Sequence, residues 1–294
     1  MLTWHHKHHL ATCLEQIAHF TYPNYRVVIV DNPAIDGTTL EMGPAFPEPD
    51  LIVNPDDKGY CHGCNLGLRH ALSHQAAYIL ILDQNTVLAP PALETFLALF
   101  AENEAIGLAN PKTYFVQENE ADPGRLLYAG SWAQPILPVE QKLPGIGQGD
   151  QGQYDTPGQV DYAWGHALFI RAAALQQVGL FDETYFMYYE DLDLSRRMRA
   201  ANFQAWYLPA AQAWYHGPEM GGYKEFAAGD WFYKIQSRRI FYRKFYGRWP
   251  GEFLGLVSLF YLSWQAGRQG YWRSAVKLWW VWLTTLFLER VALA

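Results

Sequence analysis

The chain opens with Leu10, Cys13, Leu14, Ile17 and Ala18 at helical spacing, with Thr12, Glu15 and Gln16 on the other side, which predicts an amphipathic helix. After a Tyr22-Pro23-Asn24 turn, the run from Arg26 to Val30 closes on Asp31-Asn32, the pattern of a strand buried on both faces. A helical pattern runs from about Cys64 to His74, and a short apolar run, Tyr78 to Leu82, ends in Asp83-Gln84-Asn85. Pro90-Pro91 suits the first turn of a helix over Ala92 to Ala101, and Ile106 to Ala109 reads as a further strand. Between 112 and 160 the many Gly, Pro and Gln residues break the periodicity, which predicts loops and short hairpins. Strand patterns return at Val160 to Ala163 and His166 to Ile170. They are followed by helices at Ala172 to Val178 and about Asp191 to Ala201, and by strands at Ala205 to Leu208 and Gln212 to Tyr215. Helices alternating with buried strands predict a doubly wound α/β sheet, in which ligands bind at the strand C-terminal edge.

From Gly251 onward the pattern changes. Phe253, Leu254, Leu256, Val257, Leu259, Phe260, Tyr261, Leu262 and Trp264 form one apolar run, and Ala275 to Val291 holds a second with Trp279, Trp280 and Trp282. Both are interrupted too soon for a span of roughly 20 apolar residues. They read as interfacial helices rich in tryptophan, or as an aromatic pair packed on the main domain or a second subunit. Two regions follow, a domain over about 1–220 and a helical extension over 221–294.

Net charge changes the picture by exclusion. With 22 Lys and Arg against 29 Asp and Glu, the chain has a net charge of -7 and no general attraction for nucleic acid. Three cysteines, Cys13, Cys61 and Cys64, make no disulfide framework and fit a reducing, cytoplasmic compartment. The Cys61-His62-Gly63-Cys64 spacing lacks a second pair for zinc, so packing explains it better, and His5 to His9 reads as a solvated loop rather than a metal site. Arg238, Arg239, Arg243, Lys244 and Arg248, interleaved with aromatics, form either a grip on anionic lipid or a lipid diphosphate acceptor, or a solvated helix face with a packed opposite face.

The candidate chemistry sits at strand ends. Asp83 and Asn85, two residues apart after a buried strand, project toward one place, and His216 at the end of another strand is placed to close a metal shell. Glu190-Asp191 opens a helix, where a carboxylate faces a cleft in favourable dipole territory.

Seven blocks in order resemble family 2 glycosyltransferases, especially the branch with bacterial rhamnosyltransferases, over residues 3–245. They are TYPNYRVVIVDN at 21–32, DGT at 36–38, NPDDKGYCHGCNLGLRHAL at 54–72, YILILDQNTVLAPPAL at 78–93, VDYAWGHALFIR at 160–171, VGLFDETYFMYYEDLDLSRRMRAANF at 178–203 and AWYHG at 213–217. The resemblance implies a GT-A fold, a doubly wound mixed sheet with a C-terminal helical extension. It further implies an inverting transferase that moves a sugar such as rhamnose from a nucleotide-diphosphate donor. The acceptor would be a glycan or lipid-linked molecule, and the work would be done peripherally at the inner face of the membrane in cell-surface polysaccharide synthesis.

Carried over residue by residue, the resemblance makes Asp83, Asn85 and His216 the ligands of Mg²⁺ or Mn²⁺, and Asp191 the general base with Glu190 beside it. Thr3, Asp31, Gly59, Asn65, Asp83, Trp164 and Gly165 contact nucleotide or donor, and the Gly59–Gly67 stretch is a loop that brings backbone to the nucleotide. Two departures stand out. Asn85 replaces the usual aspartate with a neutral, weaker ligand for a hard cation. Met1-Leu2 stand where the family has its apolar first strand, which therefore reads as missing. The competing expectation, motivated by both departures, is a non-catalytic sugar-nucleotide or glycan-binding protein at the membrane.

Overall fold

The structure is a computed structural model that describes residues 1–3, 8–32, 49–116, 124–133, 141–216 and 228–268, together with 276, 279–280 and 282–284. The DGT block and most of the histidine-rich stretch lie outside the described residues. The first half runs β1 (Leu2–Thr3), α1 (His8–Ile17), β2 (Val28–Asp31), β3 (Asp50–Val53), α2 (Tyr60–Ser73), β4 (Tyr78–Leu82), β5 (Thr86–Leu88) and α3 (Ala92–Glu102). It continues through β6 (Ile106–Phe115), β7 (Leu126–Tyr128), β8 (Trp132–Ala133), β9 (Gln141–Lys142), β10 (Gly158–Val160), β11 (Ala167–Arg171) and α4 (Ala172–Val178). The last elements are α5 (Glu190–Ala200), β12 (Gln204–Tyr215), α6 (Ala228–Tyr246) and α7 (Arg248–Arg268).

Strands β1, β2 and β3 form one parallel sheet, and β10, β12, β6, β11 and β4 form the path of a larger mixed one, with β5 on β12 and β7 on β6. A parallel bridge from Leu2 to Asp83 joins the two sheets. Period-two alternation fills both faces. Ile79, Ile81, Leu168 and Ile170 point into a cluster under α2, α4 and α5, whereas Leu82, Ala109, Ala167 and Phe169 point into a second under α1 and α3. The sheet is therefore doubly wound, as the alternation of elements predicts.

Several boundaries differ from the sequence reading. Helix α2 begins at Tyr60, so Gly63 and Gly67 are helical rather than part of a loop; they let α2 press onto Leu2 and Val30, where a side chain would collide or crowd. Strand β6 continues to Phe115 through buried Asn110, Lys112 and Thr113, polar residues that broke the apolar pattern but find partners inside. Lys112 is paired with Asp150 and Asp155. The two strands expected over 205–215 are one, β12, whose register on β6 shifts between Leu208 and Gln212, across Pro209, which has no N–H for a ladder. Strands β3 and β5 were not anticipated, and the first strand is present as the two residues of β1.

The C-terminal helices join the main core. Phe241 and Tyr242 of α6 belong to the cluster beneath α2 and α5. Helix α7 turns back at Gly247 and crosses α6 at Gly251, where a Cβ would stand 2.8 Å from the Tyr242 and Arg243 backbone. Trp249, Phe253, Leu256, Phe260 and Trp264 are exposed at spacings of four, three, four and four residues, so one unbroken apolar stripe runs along α7. Val276, Trp280 and Leu283 are exposed at similar spacing beyond it. No helix among the described residues is long and apolar enough to cross a membrane.

Asn65, buried on α2, reaches the loop before α5: its amide donates to the Phe181 carbonyl at 2.9 Å and to Glu183 at 2.8 Å, and its oxygen accepts the Phe181 N–H at 3.1 Å. Asn65→Ala strands both backbone groups of Phe181, and a loss of about 2–4 kcal/mol in urea-unfolding free energy is expected.

Candidate active site

Three parallel strands end side by side in polar residues. Thr3, fully buried, donates its hydroxyl to Asp31 Oδ1 at 2.6 Å, and the Asn54 side-chain amide donates to Asn32 Oδ1 at 2.7 Å. Asp83 follows β4 and is tied to this group through its bridge with Leu2. Its Oδ1 accepts the Asn85 N–H at 2.8 Å, and the Asn85 side chain bonds the same carboxylate. Burial pushes the Asp83 pKa up, and the Asn85 hydrogen bonds work against that rise. The Asn85 carbonyl accepts the His216 N–H at 2.7 Å, because β12 pairs with β5 at Tyr215 and Thr86. That pairing brings Asp83, Asn85 and His216 to one corner. His216 has its pKa lowered by burial, so its imidazole is held neutral, the form that ligates metals.

A second corner is built on the loop Trp164-Gly165-His166. The Gly165 N–H donates to Asp191 Oδ2 at 3.1 Å, and the next residue's carbonyl accepts the Asp83 N–H at 2.9 Å. Consecutive residues of one loop thus hold the Asp191 carboxylate and the backbone of Asp83, the two residues expected to carry the chemistry. The loop is pinned from below by Asn110, whose amide donates to the Trp164 carbonyl at 2.8 Å and the Ala167 carbonyl at 2.6 Å while its oxygen accepts the Trp164 N–H at 2.8 Å. His166 sits 2.7 Å from Thr113 Oγ1, and burial pushes its pKa down to about 3, so it stays uncharged.

Glu190 and Asp191, adjacent in sequence, face different surroundings. Tyr188 and Tyr189 precede them with φ of 70° and 69°, left-handed values that are unfavourable for aromatic side chains. This turn aims Asp191 at the loop and sends Glu190 inward, near Tyr60 and Cys61. Burial raises the Asp191 pKa to about 6, opposed by N–H bonds from Gly165 and Leu192. The Glu190 pKa is pushed well above the usual carboxylate range, first by burial and then by the charge of Asp191. Its Oε2 has no hydrogen-bond partner among the described residues. The pair therefore divides into a protonated acid and a titratable base.

The remaining expected residues hold the frame. Gly59, with φ of 97°, lies against the Phe186 carbonyl, which accepts the Tyr60 N–H at 2.7 Å; any side chain at Gly59 would collide there. With Asn65, it fastens α2 to the loop that leads into α5. Asn32, Asn54, Asn110 and Tyr60, whose hydroxyl donates to the Gly165 carbonyl at 3.3 Å, escaped the sequence reading. The available signal was position, since Asn54 and Asn110 end apolar runs as Asp83 does. Burial pushes the Cys13 and Cys64 thiols up to about 12 and Cys61 higher, which keeps all three un-ionised and agrees with packing roles. No cluster of three or more His, Cys, Asp or Glu suited to a metal occurs among the described residues; the Asp83, Asn85 and His216 set contains an amide in place of a third such group.

Comparison with known proteins gives the following. The model of "Glycosyl transferase family 2" matches residues 1–179. An N-acetylglucosaminyl-diphospho-decaprenol L-rhamnosyltransferase of Mycobacterium tuberculosis is 24% identical over 229 residues, 71% of this chain and 72% of that protein. The low-salt glycan biosynthesis hexosyltransferase Agl10 of Haloferax volcanii is 23% identical over 180 residues, 60% of this chain and 53% of the relative. Among solved structures, S. aureus TarS superposes with a TM-score of 0.50 at 14% identity, over 82% of this chain; the match spans only 38% of that longer protein.

Glu190 provides a test of the site's electrostatics. A carboxyl whose folded pKa lies above its unfolded value stabilises the fold most below the unfolded pKa, and that contribution is lost as pH rises toward the folded one. Glu190→Gln is expected to melt higher than the parent at pH 8 and to lose that advantage near pH 4, read by thermal melts across the range.

Proposed function

The chain belongs to glycosyl transferase family 2 and is a glycosyltransferase of GT-A fold, and from that premise we propose an inverting transfer from a nucleotide-diphosphate hexose to a lipid-linked glycan acceptor. The observation that carries the reading is the shared loop: Gly165 and His166 hold Asp191 and Asp83 on either side of one short stretch of backbone. In the proposed reaction Asp191 takes the proton from the acceptor hydroxyl as that oxygen attacks the anomeric carbon. The bond to the diphosphate oxygen breaks with its electron pair leaving on the nucleotide, and attack from the opposite face inverts the configuration. A base with a pKa of about 6 is ionised at neutral pH, and the Gly165 N–H orients it. Glu190, protonated, adds no second negative charge beside it at the acceptor side.

Thr3, Asp31, Asn32 and Asn54 form the ribose and base end of the donor site, at the C-terminal edge of the parallel strands where such sheets bind ligands. Trp164 and Gly165 flank the sugar. The residues at the Asp83 corner fit a divalent cation: a half-buried carboxylate, an amide oxygen source and a neutral imidazole, drawn together by backbone bonds. Asp83, Asn85 and His216 would hold Mg²⁺ or Mn²⁺, which would neutralise the leaving diphosphate. The amide at Asn85 makes this a weak site.

Rhamnose is the favoured sugar and a polyprenol-diphosphate glycan the favoured acceptor, both supported by the name of the mycobacterial relative. The α7 stripe supports an acceptor drawn from a membrane. Its aromatic residues suit the headgroup level, and the exposed Arg248 at its start suits anionic lipid. The protein then works at the cytoplasmic face, with the exposed stripe of α7 as its membrane-facing part.

Two measurements test this reading. Asp191→Asn is expected to lower kcat by about 10²- to 10⁴-fold with donor binding retained, and parent activity should fall as pH drops through about 6, where Asp191 takes up a proton. Nucleotide binding without turnover in the parent would support the binding-protein alternative instead. On liposomes containing phosphatidylglycerol, the double change Phe253→Ser and Phe260→Ser is expected to weaken co-sedimentation about tenfold or more while turnover on a soluble acceptor analogue persists.

A further inference from the structure

Among the described residues, no cation is among the groups that set the ionisation of Asp191. Burial raises its pKa, and the rise is opposed by backbone N–H bonds, first that of Gly165 and then those of Leu192 and of Asp191 itself. The titratable groups that face it are Glu190 beside it, Cys61 of α2 and Tyr128 of β7, and burial keeps all three uncharged at neutral pH. Leu192 and Asp191 lie in the first turn of α5, so their N–H groups travel with the carboxylate. The Gly165 N–H comes from a different element, and its placement is the one that the rest of the fold has to set.

A side chain one turn further along α5 ties that element to the helix. Ser195 is buried, and its hydroxyl donates to the Asp191 carbonyl at 2.8 Å and accepts the Ala163 N–H at 3.0 Å. Ala163 and Gly165 are two positions apart on the loop, and Asp191 and Ser195 are one turn apart on the helix. The four residues therefore close a ring: Ala163 to Ser195, Ser195 to the Asp191 carbonyl, and the Asp191 carboxylate to Gly165. Removing the Ser195 oxygen would take the partner from an N–H whose residue is wholly buried, and the loop would lose its register on α5.

The second contact comes from α2. The Tyr60 hydroxyl donates to the Gly165 carbonyl at 3.3 Å, and a Cβ on residue 165 would stand 3.3 Å from the same oxygen. Glycine at this position lets the phenol come up against the backbone. Tyr60 is fixed in turn, because its N–H donates to the Phe186 carbonyl at 2.7 Å and its ring leans on Phe181. Asn110 pins Trp164 and Ala167 on either side, whereas Tyr60 reaches Gly165 itself.

We propose that Ser195 and Tyr60 are positioning residues for the Asp191 base, which act by holding the Gly165 N–H on its carboxylate. The inference rests on the assignment of Asp191 as the base. Ser195 sets where the loop lies along α5, and Tyr60 keeps Gly165 from turning away from it.

The test is direct titration of the Asp191 carboxyl by carbon NMR of protein isotopically labelled in its aspartate side chains, with the resonance assigned by its absence in Asp191→Asn. The parent, Ser195→Ala and Tyr60→Phe are compared from about pH 5 to about pH 8. Both variants are expected to raise the Asp191 midpoint by about half a unit or more, roughly a threefold gain in proton affinity, because a carboxylate that loses an N–H bond holds its charge less well. The acidic limb of kcat is expected to move up with it. A side chain that served stability alone would lower the thermal midpoint and leave the carboxyl where it was. An Asp191 midpoint unchanged or lowered in either folded variant would overturn the proposal. Tyr60→Phe keeps the ring and its packing, so it decides the matter if Ser195→Ala does not fold. The titration needs neither donor nor acceptor: a parent without turnover would sink the enzymatic reading, and the carboxyl midpoint would still decide this one.

Discussion

The carboxamide of Asn110 is the contact on which the site depends. It is fully buried at the middle of β6, and its three hydrogen bonds fix the backbone from Trp164 to Ala167. That backbone in turn holds Asp83 through His166 and Asp191 through Gly165. A buried amide with each bond satisfied is rigid because any displacement leaves polar groups unpaired in a low-dielectric interior. The carboxylates come from β4 and α5, elements far apart in sequence. Their relative position is set by the core of the sheet.

Electrostatics then distinguishes residues that sequence alone leaves equivalent. Glu190 and Asp191 are the same functional group one position apart, yet the left-handed turn at Tyr188 and Tyr189 gives one an N–H donor in the loop and leaves the other buried with an oxygen that has no partner among the described residues. Burial raises both pKa values; N–H bonds from Gly165 and Leu192 restrain the rise at Asp191, whereas Glu190 has its own N–H against the added charge of Asp191. The difference follows from backbone geometry over four residues.

Much of the architecture was legible in the sequence where one physical requirement dominates. Tyr78 to Leu82 and Ala172 to Val178 match their elements, because unbroken burial and helical periodicity leave little choice there. Strand β6 was truncated in the reading because Asn110, Lys112 and Thr113 break the apolar pattern, although each finds its partner inside the fold. Those partners lie 38 to 57 positions away, beyond any local window. The same limit explains Gly63 and Gly67: glycine signals a close approach, but only the fold reveals that the approaching groups are Leu2 and Val30 rather than a phosphate.

The paired left-handed tyrosines bear on whether the C-terminal helices form a separable module. Such residues cost of order 1–3 kcal/mol each and persist only where their surroundings over-determine them. Here the surroundings come from α6: Ser237 donates to the Met187 carbonyl at 2.8 Å, Arg238 donates to the Tyr189 hydroxyl at 2.6 Å, and Phe241 packs on the Tyr189 ring. Arg238 also bonds Ser258 and Arg239 pairs with Glu252, so α7 is fastened to the same brace. The helix that carries the apolar stripe is thus mechanically continuous with the turn that aims Asp191. A protein trimmed ahead of α6 would lose more than two helices, because the brace that holds the turn ahead of Asp191 would leave with them.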